Sequence, residues 1–123
     1  MLDRAELMAF APSLDLDRAR SFYGGTLGLA VEEDSPFALA LRSGGVRLRV
    51  TRVDALTPHP FTVLGWVVDD IAAMVTELRS AGVEFAFYDS VEQDGLGVWT
   101  APGGARIAWF HDPDGNTLSL TQS

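Results

Sequence analysis

The chain has 123 residues, 47% of them hydrophobic, and carries 9 Lys+Arg against 17 Asp+Glu, a formal charge of -8. That is the length of one domain, and the acidity excludes a nucleic-acid binder, which needs clustered cations to displace the counterions of phosphate. Every cation is an arginine and no residue is a cysteine, so lysine Schiff bases, a P-loop lysine, disulfides, thiolate zinc sites, iron–sulfur clusters and cysteine nucleophiles are all ruled out. A cysteine-free chain fits the cytoplasm, which is the expected location. The two histidines, His59 and His111, are too few for a three-histidine metal site within one chain. No apolar leader follows Met1 and no run reaches the ~18 apolar residues of a membrane span, so neither targeting nor a membrane partner is expected.

In chain order, residues 6–11 form a short apolar strand that Pro12 is expected to end, since proline cannot donate to a ladder. Ser13 and Asp15 offer capping oxygens ahead of Leu16, Ala19, Phe22 and Tyr23, whose spacing draws an apolar helix stripe that should end near Gly24 and Gly25 or at Gly28. Residues 29–33, 37–42 and 46–51 come next as a meander of three strands, separated by Ser35-Pro36 and by Ser43-Gly44-Gly45.

The order then restarts. Residues 63–68 are apolar and β-branched, Asp69 and Asp70 cap, and Ile71, Met74, Val75 and Leu78 hold helical spacing until Gly82. Strands are expected at 83–88, 96–100, 105–110 and 117–120, with turn chemistry at Gly95, at 101–104 and at 112–116. An offset of 55 carries Met8 to Val63 and Asp15 to Asp70, and an offset of 70 carries residues 45–50 onto 115–120. The chain is therefore an α+β domain spanning 1–123, built of two βαβββ modules: module one 1–53, a proline-stiffened connector 54–60, and module two 61–123. A half of about 60 residues buries too little surface to stand comfortably alone.

The run from Asp15 to Tyr23, Asp-Leu-Asp-Arg-Ala-Arg-Ser-Phe-Tyr, followed by Leu27-Gly28-Leu29, resembles the first-module signature of the vicinal oxygen chelate superfamily, which includes glyoxalase, bleomycin-resistance proteins and extradiol dioxygenases. Val68-Asp69-Asp70-Ile71, the run from Leu78 to Val83 and the run from Phe110 to Leu118 extend the resemblance through the second half. It implies curved mixed sheets around a cleft, helices on the outer faces and a homodimer. It also implies one divalent metal held by side chains of the first and last strands of each module. Those positions fall here on Met8, Arg49, Val63 and Ser119, and none of these residues is His, Glu or Gln. Two unit charges ~4 Å apart at an effective dielectric of ~20 interact by about 4 kcal/mol, so a dication beside Arg49 would meet roughly 8 kcal/mol of repulsion. An arginine there favours an anion, and no metal or other cofactor is expected.

Strand alternation places Glu6, Met8, Phe10, Arg47, Arg49 and Thr51 on the cleft side of module one. It places Val63, Val67, Ile107, Trp109, Thr117, Ser119 and Thr121 on that of module two. The expected ligand-binding residues are Met8, Phe10, Arg47, Arg49, Val63, Trp109 and Ser119, a set suited to a small organic molecule with an acid or carbonyl group. Glu6 is the one candidate general base, because an apolar cleft would raise its pKa. The blander alternatives are an internal ion pair between Glu6 and Arg47 or Arg49, core filling by Met8 and Phe10, and core positions for Trp66 and Trp99. His59 and His111 are expected at the surface, 112–116 as a tight turn, and the acidic stretch 89–94 as solvated. The function expected is metal-free capture of a small molecule. Alternatives are a lyase, isomerase or dioxygenase-like enzyme with a rearranged metal site, and an interaction scaffold with a filled cleft.

Overall fold

Each half of the chain solves the same problem: a parallel strand pair cannot be joined by a tight turn, so a helix crosses over between its members. The computed structural model describes residues 1–123, and the chain divides into two units, Met1–Thr57 and Pro58–Ser123.

In the first unit, β1 (Met8–Ser13) leads into α1 (Leu16–Ala19), a π-helical segment (Arg20–Thr26), β2 (Ala30–Asp34), β3 (Ala38–Ser43) and β4 (Val46–Arg52). The sheet order is β1-β4-β3-β2, with β1 parallel to β4 and the remaining pairs antiparallel. Ala11, Leu39, Leu41, Leu48 and Val50 are buried on one face, and Leu16, Ala19 and Tyr23 are the buried residues of the helical stretch. β1 does not stop at Pro12. It runs on to Ser13, with Pro12 beside Thr51. As the edge strand it has a single ladder to feed and needs only alternate N–H groups, so the proline is tolerated. The helix has the expected extent but widens after one turn. It closes through Leu27 N–H to Phe22 O at 2.8 Å and Leu29 N–H to Tyr23 O at 3.0 Å, and Gly28 supplies the positive φ of 76° that turns the chain away.

In the second unit, β5 (Thr62–Val67), α2 (Ile71–Ser80), β6 (Trp99–Thr100), β7 (Arg106–His111) and β8 (Thr117–Gln122) build a sheet of order β5-β8-β7-β6. Ile71, Val75 and Leu78 are the buried stripe of α2, and Ala108, Phe110, Leu118 and Leu120 are buried residues of β7 and β8. The expected strand 83–88 does not form, and 96–100 shrinks to the two residues of β6. Phe85 makes only an isolated bridge to Phe110, and Ala86 N–H reaches Trp109 O at 2.8 Å. The Gln93 side-chain amide takes up the backbone groups a strand would have used: it donates to Ala86 O and Gly97 O and accepts from Tyr88 N–H. Both modules are thus βαβββ with open four-stranded mixed sheets. No helix is long and apolar enough to cross a membrane.

Candidate functional site

Each module buries one sheet face beneath its own helix, and the other face displays side chains. In the first unit that face begins with the β1/β4 register, which sets Met8 beside Arg47 and Phe10 beside Arg49. On the next strand Arg42 lies opposite Arg47 and Ala40 opposite Arg49. Three guanidiniums therefore share the face with two carboxylates. Glu32 holds Arg42 Nε at 3.0 Å and lies 3.7 Å from Arg47 Nε, while Glu6 lies 3.9 Å from Arg42 Nη1. Hydrogen bonding and Coulomb attraction from Glu32 push the Arg42 pKa further up. Arg49 is exposed and has no ion pair, so this patch of an acidic chain keeps one uncompensated positive charge.

Glu6 precedes β1 and its side chain is 64% exposed, facing Arg42. This is a wet, cation-facing setting and not the apolar seat expected for a general base. The alternative ion pair to Arg47 or Arg49 is also absent, because Arg47 turns to Glu32 and Glu6 to Arg42. Neither Glu32 nor Arg42 was picked out by the sequence. The only signal was a charged residue at the end of the otherwise apolar strand 37–42.

In the second unit Ser119 lies beside Gly65 on β5 and opposite Trp109 on β7, and it is only 6% exposed. A register shift between Thr62 and Leu64 leaves Val63 as the extra residue of a bulge, 37% exposed, so the neighbour of Ser119 is Gly65. A Cβ at Gly65 would come within 3.1 Å of Ser119 Oγ. Gly65 escaped the sequence reading because it has no side chain to bind with, although a lone glycine in a β-branched run is a sign of close approach. Trp109 is half-buried, stacked on Trp99 at 6.1 Å and 27° and edge-on to Tyr88 at 5.6 Å and 82°. Trp99 was expected in the core. Its pairing with Ile107 instead puts it on the same face as Trp109. Trp66 stacks on buried Phe110 at 6.3 Å, on the helix side.

His59 is exposed and stacked on Phe61 at 5.1 Å, and His111 is exposed at the end of β7. A cavity of about 550 Å³ in the first unit lies away from the arginine face, lined by Leu14, Asp15, Asp17, Arg20, Asp34 and Arg52 among others. Arg20 there is held by Asp34 and by Asp17 at 3.5 Å.

A family model described as the Glyoxalase/Bleomycin resistance protein/Dioxygenase superfamily matches residues 8–120. The chain belongs to this superfamily. Among solved structures it is similar to a superfamily member from Sphaerobacter thermophilus, at 22% identity and a TM-score of 0.77 with 100% of both chains covered. It is also similar to a glyoxalase family protein from Bacillus anthracis, at 16% identity and a TM-score of 0.77, covering 98% of this chain and 95% of that one. A third likeness is to a lactoylglutathione lyase from Agrobacterium tumefaciens, at 19% identity and a TM-score of 0.75, covering 100% of this chain and 96% of that one. No functionally curated protein matches the sequence.

Enzymes of the superfamily hold a divalent metal at four strand positions. Here those positions offer a thioether at Met8, a guanidinium at Arg49, an isopropyl at Val63 and a hydroxyl at Ser119. Hard or borderline cations need several imidazole or carboxylate donors, and Ser119 is the only oxygen among these four side chains. Nor do three His, Asp or Glu side chains gather anywhere to form a substitute site. The residues do not fit the superfamily's metal.

Proposed function

We propose that this member of the superfamily captures a small organic acid on the open sheet face of its first module without metal chemistry, and that it does so as a homodimer. The observation that carries the reading is Arg49, an exposed guanidinium without a counter-ion, flanked by Phe10 in the register of β1 and β4. A carboxylate accepts two parallel N–H bonds from such a group, while Met8 and Phe10 give the apolar body of the ligand a surface that adapts to varied shapes.

The test has two arms. Protein purified without chelators is incubated with cell extract, and native mass spectrometry identifies the organic acid retained while elemental analysis counts metals. Arg49→Ala is expected to weaken binding of that acid by roughly 1.5–3 kcal/mol, about ten- to a hundredfold, the worth of a charge-assisted hydrogen bond. Unchanged affinity, or one tightly held transition-metal ion per chain, overturns the reading and favours an enzyme with a rearranged metal site.

A further inference from the structure

Residues 81–98 connect α2 to β6 without regular structure, yet one side chain ties the segment down. Gln93 Nε2 donates to Ala86 O at 2.9 Å and to Gly97 O at 2.8 Å, and Gln93 Oε1 accepts from Tyr88 N–H at 2.7 Å. A bridge between Gln93 and Trp99 continues the same clamp. Asp94 Oδ1 reinforces it by accepting from Leu96 N–H and Val98 N–H, both at 2.9 Å. The other Asp94 oxygen lies 3.7 Å from Arg106 Nη2. Gly97 is favoured at its place because its φ of +85° lies in the left-handed region.

Tyr88, within this segment, and Trp99, the residue that follows it at the start of β6, both meet the Trp109 ring. Tyr88 is 38% exposed, and both tryptophans are only half-buried, so ring surface stays open to a ligand. Aromatic faces gain from stacking on a flat ring beyond the area they cover, and a saturated ring of similar size cannot supply that gain.

We propose that Gln93 is a positioning residue that sets Tyr88, Trp109 and Trp99 as one aromatic wall, and that this wall selects ligands carrying a flat unsaturated ring. The inference concerns the second unit's own sheet face and stands apart from the Arg49 reading above.

Two measurements test it. First, the Trp99–Trp109 pair should give an exciton couplet in circular dichroism, from which Trp66, on the helix side, is separate. Gln93→Leu should abolish the couplet while the sheet signal remains. Gln93→Glu, which keeps the acceptor for Tyr88 N–H and loses both donors, should retain part of it. Second, 2-naphthoate and its saturated counterpart decahydro-2-naphthoate are titrated by NMR. The flat acid is expected to bind about tenfold tighter. Gln93→Leu should lower the naphthoate affinity to that of the saturated acid, and Trp109→Leu should remove the preference between the two acids. If Gln93→Leu fails to fold, Gln93→Glu and Trp109→Leu carry the comparison. Equal binding of the two acids, no binding of either, or a couplet and a preference that survive undiminished in Gln93→Leu, or in Gln93→Glu where the leucine variant does not fold, overturns the inference. Equal binding leaves the Arg49 reading standing, since that reading is tested separately by Arg49→Ala.

Discussion

Asp112 accepts N–H bonds from Asp114 and Asn116 on one carboxylate oxygen, both at 2.9 Å, and from Asn116 Nδ2 on the other at 2.8 Å. It does so while only 6% exposed. Removing that carboxylate leaves several donors short of a partner in a dry turn, each costing about 1–3 kcal/mol. Asp112→Ala is therefore expected to destabilise the fold by about 3 kcal/mol and lower Tm by roughly 10 °C, read by thermal denaturation. Asp112→Asn, which keeps one acceptor oxygen, should lose markedly less. The sequence showed that Asp-Pro-Asp-Gly-Asn makes a turn, because proline and glycine declare their backbone preferences locally. It did not show that the first aspartate is the buried hub. The same limit applies to Arg42 and Glu32: each charge is visible in the sequence, but which carboxylate meets which guanidinium depends on strand register. Arg49 could be named as an anion-seeking residue, yet its lack of a counter-ion emerged only when Glu6 and Glu32 were found beside its neighbours.

Among the elements, helix starts were the most readable feature. Asp15 accepts from Asp17 N–H and Arg18 N–H, and Asp70 from Ala73 N–H at 3.1 Å, at the two places the 55-residue offset makes equivalent. A second partner of α2 was invisible in sequence: Ile71 N–H donates to Gln122 Oε1 at 2.8 Å, across 51 residues. Because Gln122 still satisfies one of the orphan amides, Asp70→Ala should cost no more than a typical cap, about 1 kcal/mol, or about 4 °C in Tm. A double variant with Gln122→Leu should lose more than the sum of the two single changes, as expected of neighbours serving one helix end. Strict additivity in a denaturation series would show the two contacts to be independent. Strand pairing was harder to read than strand existence. Alternation told which face a residue takes, but not that β1 would tolerate Pro12 at an edge, that Val63 would bulge, or that Gln93 would replace a strand at 83–88.

The whole molecule shows its duplication in sequence through the caps, the glycine turns and the paired offsets, because these are local signals repeated in order. The open borders of the two sheets were less apparent, since they depend on which strands pair. Both β1 and β5 are edge strands, and large apolar side chains stand exposed on or beside them: Phe10 at 58%, Phe61 at 59% and Val67 at 79%. Apolar surface concentrated along open strand edges marks an association surface, which supports the proposed homodimer. Its salt dependence can be argued from charge. Two chains of formal charge -8 repel, and added salt screens that repulsion over a Debye length of about 10 Å at 0.1 M, while apolar contact is not weakened by it. Raising the salt from low to physiological levels should therefore tighten the dimer, whose light-scattering mass is expected at twice the 13.3 kDa of one chain. A dimer that loosens with salt would instead be held by ion pairs between copies, and a mass of one chain throughout would remove the dimer altogether. Val67→Asp should shift the equilibrium toward monomer, because it replaces an exposed apolar side chain on one of these edges with a carboxylate that the association would have to bury.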